Sequence, residues 1–234
     1  MPFGIYFDPL YILFAAPALL LAMFAQWKVS STYSKFTQAR NAKNLTGAEV
    51  ARYLLRANGL NLEVKGTPGE LTDHYDPRDK ALYLSSGVAQ TPSVAALGIV
   101  AHEVGHAVQD AQGYAPMRLR AYLVVPASVG PWVGYVLFAI GVAINFTGLA
   151  WVGILFFSAS LVFALATLPV EFDASHRALV MLRSSALVGE GEVNAAQAVL
   201  SAAALTYVAA AAQALSTLLY YVFILFNITG RRRD

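Results

Sequence analysis

The sequence contains no cysteine, which excludes disulfides and thiolate chemistry. It is also short of charge. Only 13% of its 234 residues are Asp, Glu, Lys or Arg, against 57% hydrophobic; soluble domains carry about 25% charge. That shortage excludes a disordered chain and a nucleic-acid binder, and it argues against an ordinary soluble globule. Histidine is scarce as well, with four in the chain.

The missing charge is missing in blocks. Residues 9–27, 121–170 and 193–230 hold none, runs of 19, 50 and 38 residues. Crossing the hydrocarbon layer takes about 20 apolar residues on a helix. The first run therefore fits one span, the second two, and the third one with a polar start left over. The expected architecture is mainly α: a polytopic membrane protein with about four transmembrane helices. Eleven of the 16 Lys and Arg fall in 28–120, and Arg177 and Arg183 fall on the same side if four spans are present. The positive-inside rule makes that side cytoplasmic, with the N-terminus outside. The tail Arg231, Arg232 and Arg233 runs against that orientation. No basic residue precedes the first apolar run, so an uncleaved anchor is expected rather than a signal peptide.

The expected order is transmembrane helix 1 at 9–27, a polar segment at 28–122, a helical hairpin in the membrane at 123–168, a helix and linker at 169–202, and a last span at 203–228. Within the polar segment, Thr46-Gly47-Ala48-Glu49 reads as a capping box opening a helix that Asn58-Gly59 stops. Leu62–Val64 and Ala81–Leu84 read as short strands, and Asp76-Pro77-Arg78-Asp79 as a turn. Thr91 and Pro92 look like the cap and first residue of a helix over about 92–112. Glu103, Gln109 and Asp110 keep that helix out of lipid. Pro169 is expected to open the helix that follows the hairpin.

The informative pentapeptide is His102-Glu103-Val104-Gly105-His106. Positions i and i+4 share a helix face, so both imidazoles can turn to one metal ion. Glu103 beside them is placed to act as general base. With four His and seven Glu in the chain, chance would produce such a pentapeptide about 0.002 times. Zinc at a catalytic site usually has three protein ligands, so one more is needed. His74, His176, Glu171 and Asp173 are candidates. Glu171 is attractive because the paired spans return the chain to the side it left near residue 120. Asp173 and Arg177, four apart, also read as a surface ion pair.

Val100–Gln109, around the pentapeptide, resembles the membrane zinc metallopeptidases of the YugP type. So do Thr46–Ala51, Gly69–Pro77, Leu168–Ser175 and Ala203–Ala210. Glu171-Phe172-Asp173-Ala174-Ser175 is more distantly similar to the Glu-Phe/Tyr-x-Ala-Asp pattern of HtpX-like peptidases and CaaX prenyl endopeptidases. The resemblance implies a bacterial inner-membrane enzyme with a small α+β zincin-like catalytic domain at the membrane surface. It implies one zinc ion per chain, held by His102, His106 and Glu171. Ser175 stands where those families have an outer-shell Asp, so that role does not carry over, and Asp173 is the candidate replacement. Residues 70–84 would form a cleft edge, with His74 and Tyr75 near it.

The expected activity is hydrolysis of peptide bonds in membrane-associated or misfolded proteins, with Glu103 handling the proton. His74, Tyr75, Tyr114, His176 and Arg177 are candidates to support the oxyanion or the substrate. Expected partners are a protein or peptide substrate and the lipid bilayer. The competing class is a non-enzymatic, zinc-stabilised membrane chaperone, adaptor or scaffold. A transporter is disfavoured because the three charge-free runs hold no ionisable relay group.

Overall fold

The computed structural model describes residues 9–230; the Arg231–Arg233 tail lies outside them. Seven helices and three strands follow one another among these residues. They are α1 (Pro9–Thr37), α2 (Gly47–Ala57), β1 (Glu63–Thr67), β2 (His74–Asp76), β3 (Ala81–Ser85), α3 (Ser86–Gln90), α4 (Val94–Ala111), α5 (Ala115–Ala143), α6 (Thr147–Ser184) and α7 (Glu190–Gly230). The protein is mainly α with a small α+β part. Helices α1, α5, α6 and α7 are long and apolar enough to cross a membrane. They expose Leu13, Leu20, Val125, Trp132 and Leu155, as lipid-facing helices do.

The chain divides into two compact units. The first comprises the described residues up to Phe24, Leu119–Thr167 and those from Thr206 on. In it, α5 and α6 touch backbone to backbone: a Cβ on Gly153 would lie 2.7 Å from the Gly134 carbonyl oxygen. Small residues allow such approach where lipid supplies no hydrophobic drive. The Phe157 ring stacks on Tyr221 at 4.4 Å.

The second unit comprises Ala25–Arg118 and Leu168–Leu205. Its α2 begins with the expected capping box, in which the Thr46 hydroxyl accepts from Glu49 N–H and the Glu49 carboxylate accepts from Thr46 N–H. Val50, Ala51, Leu54 and Leu55 line the buried face of α2. They join a core with Leu82 and Leu84 of β3, Leu97, Val100 and Val104 of α4, and Leu182 of α6. The sheet order is β1-β3-β2, with β1 parallel and β2 antiparallel to β3. Asp76 turns β2 into β3 by accepting Arg78 N–H on its carboxylate at 2.8 Å, an Asx turn.

Four boundaries differ from the sequence reading. Helix α4 starts at Val94 with Ser93 as its cap, not at Thr91-Pro92. Backbone bonds explain the delay: Asn41 N–H donates to Pro92 O, and Val94 N–H to Ala39 O, so Pro92 and Ser93 are held extended against residues 39–41. Pro169 lies inside α6 rather than opening a new helix; prolines in apolar helices are tolerated when neighbours re-satisfy the backbone. Residues 115–122, expected at the end of the polar segment, belong to α5, and α1 runs on to Thr37. In both cases the edge of the charge-free run marks a change of surface, not a helix end.

Candidate metal centre

Helix α4 carries the pentapeptide on its inner face. His106 and Glu103 are buried, and His102 is nearly so. The two imidazoles meet edge to face, centroids 4.6 Å apart. Helix α6 brings Glu171 opposite them, 2% exposed. One Glu171 oxygen lies 3.2 Å from His102 Nε2 and 3.6 Å from His106 Nε2. The three donor atoms fall within 4.8 Å of one another. Gly105 makes this approach possible, since a Cβ there would lie 2.7 Å from the Ala174 carbonyl oxygen on α6. Two imidazole nitrogens and a carboxylate converging on one point form a donor set that fits zinc.

Glu103, beside these donors on α4, is also tied to the sheet. Its carboxylate accepts the backbone N–H of Tyr75 at 2.9 Å. Burial pushes the Glu103 carboxyl above its usual range, and the neighbouring histidines and the Tyr75 N–H pull the other way. The Tyr75 hydroxyl donates to Asp110 at 2.6 Å, and Lys80 reaches the same Asp110 oxygen. Burial and that carboxylate hold the Tyr75 phenol protonated well above its ordinary range. Strand β2 is therefore fastened to α4 at two points, one of them the side chain of Glu103.

Of the remaining candidates, the two histidines fall elsewhere. His74 is exposed, stacked on Tyr83 at 4.9 Å with its Nδ1 on Thr72 O. His176 is exposed on α6. Neither belongs to the three-donor cluster found among the described residues. Asp173 accepts from Gln109 and Arg177, and it reaches His106 through Gln109. Arg177 lies over the Tyr114 ring at 5.8 Å.

Three contributors escaped the sequence reading. Ser175 Oγ lies 3.2 Å from His102 Nδ1, so the residue that breaks the distant acidic pattern still touches a candidate ligand. Gln109, fully buried, contacts His106 Nδ1 at 3.0 Å. Asp110 holds Tyr75. The last two follow His106 by three and four residues, so helical spacing alone puts them near its face; their partners depend on β2 and α6.

The pattern of the family described as "Putative neutral zinc metallopeptidase" matches residues 11–226. The "Putative membrane protease YugP" of Bacillus subtilis (strain 168) is 41% identical over 219 residues, covering 93% of this chain and 97% of that protein. No solved structure matches. With a match running from the first apolar helix to the last, the chain belongs to the family described as "Putative neutral zinc metallopeptidase".

Proposed function

We propose that this chain is a bacterial membrane-anchored endopeptidase that uses one zinc ion held by His102, His106 and Glu171. The observation that carries the proposal is the convergence of those three donors within 4.8 Å, next to a buried carboxylate at Glu103. Among the described residues the cluster has three donors rather than four. Structural zinc sites are closed by four protein ligands, whereas catalytic sites keep a position open. The donor count thus favours an enzyme over a zinc-stabilised scaffold or chaperone.

When bound, zinc supplies Lewis-acid polarisation of the scissile carbonyl and of water. Glu103 takes the proton of the attacking water on its carboxylate and delivers it to the leaving amine. Burial raises its basicity above that of an exposed carboxylate, which suits a group that must both accept and release a proton. The Tyr75 N–H holds the carboxylate in place while it does so.

The substrates are protein segments that are membrane-associated or misfolded, since four apolar helices anchor the chain in a bilayer. Eleven of 16 basic residues lie in 28–120, which favours a cytoplasmic site in the bacterial inner membrane. The test is cleavage of an unfolded protein by the detergent-purified chain. Glu103→Gln is expected to lower turnover by about 10²–10⁴-fold with zinc content unchanged. Wild-type turnover in that variant overturns the proposal.

A further inference from the structure

Gln109 is completely buried, and each polar atom of its side chain has a partner. The amide nitrogen donates to the Val170 carbonyl oxygen at 2.8 Å and to Asp173 Oδ2 at 2.8 Å. Both partners are acceptors, and Asp173 Oδ2 also accepts from Arg177 Nε at 2.5 Å, which holds it in place. Flipping the amide would set its oxygen against two acceptors in a buried site, losing both bonds. The amide orientation is therefore determined, and its oxygen faces His106 Nδ1 at 3.0 Å. An amide oxygen only accepts, so the hydrogen of that bond belongs to His106. In the neutral ring Nδ1 is then the N–H, and Nε2, which faces Glu171, carries the lone pair.

His102 differs. Its Nδ1 meets the Ser175 hydroxyl, which can donate or accept. Nothing in that contact selects a tautomer.

We propose that Gln109 is a positioning residue that holds His106 in the Nδ1–H tautomer, so that Nε2 is ready to bind metal before any metal arrives. The proton placement begins on α6, at Val170 and Asp173, one residue on either side of the Glu171–Phe172 pair. The helix that delivers the carboxylate ligand thereby sets the proton on the histidine opposite. The proposal rests on the reading of His106 as a zinc ligand, and its test separates the two.

The first measurement needs no variant. Ring ¹⁵N spectra of the metal-free, histidine-labelled full chain in detergent contain four imidazoles; single His→Gln variants assign them. At a pH where His106 is neutral, its Nδ1 is expected to give the N–H signal and Nε2 the lone-pair signal. The opposite pattern overturns the proposal. The second is zinc affinity by chelator competition. Gln109→Met removes the acceptor at similar volume and is expected to weaken zinc binding about 10–100-fold, as loss of an outer partner does, and to release the tautomer. The double variant Gln109→Glu with Asp173→Asn restores an acceptor toward His106 and a donor at 173 but leaves Val170 O without its donor, and is expected to recover the tautomer and part of the affinity. Equal loss of affinity in both variants with the Nδ1–H form intact overturns the proposal, because packing would then set the affinity. A wild-type chain that takes no zinc refutes the metal centre, while the spectra still decide the role of Gln109.

Discussion

The backbone N–H of Tyr75 donates to the Glu103 carboxylate at 2.9 Å, joining residues 28 positions apart in the chain. The same tyrosine is anchored at its other end by Asp110, two helical turns past Glu103 on α4. One residue of β2 thus bridges two points on the helix that carries the candidate ligands. Because the donor to Glu103 is backbone, no substitution at 75 other than proline removes it directly. What a substitution can change is how firmly the strand is held.

Tyr75→Phe removes the hydroxyl and keeps the ring and the backbone N–H. Asp110 retains Lys80, so no carboxylate is stranded. The expected stability loss is about 1 kcal/mol, the net value of one hydrogen bond. If the strand holds Glu103 in register, kcat falls up to about fivefold, the factor equivalent to that energy, with KM and zinc content unchanged. Steady-state kinetics beside a denaturation curve check both. Lowered stability with unaltered kcat would remove β2 from the positioning of the base.

Glu171→Gln tests the third ligand. A neutral amide nearly matches the carboxylate in shape and loses its charge. Zinc affinity is expected to fall by more than about 100-fold, the upper end for losing an outer-shell partner. A ligand that binds only the folded state raises stability, by about 2.7 kcal/mol at 100 times its dissociation constant. Added zinc should therefore raise the thermal midpoint of the wild type, a chelator should reverse the shift, and neither should move Glu171→Gln at the same concentration. An equal zinc shift in both proteins would strike Glu171 from the site.

How far the site could be read ahead of the structure follows from the range of each interaction. The pairing of His102 with His106 is local, set by helical geometry over four residues, and needs no knowledge of the fold. Glu171 lies 65 residues further on, and only the counting of apolar spans suggested that the chain returns. The roles of Gln109 and Ser175 were hidden because each depends on how α4 and α6 are rotated against each other. No periodicity encodes that rotation, and the close approach that goes with it is permitted by the bare Cα of Gly105 against Ala174. Strand β2 has three residues, too few for alternation to show. The apolar runs located the long helices but not their ends, since Pro169 and the polar stretch 28–37 both sit inside helices.

Gly105→Ala tests that contact. The added Cβ would lie 2.7 Å from a backbone oxygen at Ala174, and backbone cannot rotate aside as a long side chain can. Helix α6 must move, and overpacking of this kind costs about 1–3 kcal/mol. The displacement is also local to the donors: Ala174 is one turn from Glu171, and Gly105 adjoins His106. Gly191→Ala is the control. It lies near the start of α7 with nothing within 4 Å of its would-be Cβ, and alanine is the better helix former. Thermal unfolding of the metal-free proteins should show Gly105→Ala lowered and Gly191→Ala equal to or above the wild type. Zinc titration should show weakened binding in Gly105→Ala alone. If Gly105→Ala unfolds early yet binds zinc as tightly as the wild type, the close approach serves the core and not the spacing of the donors.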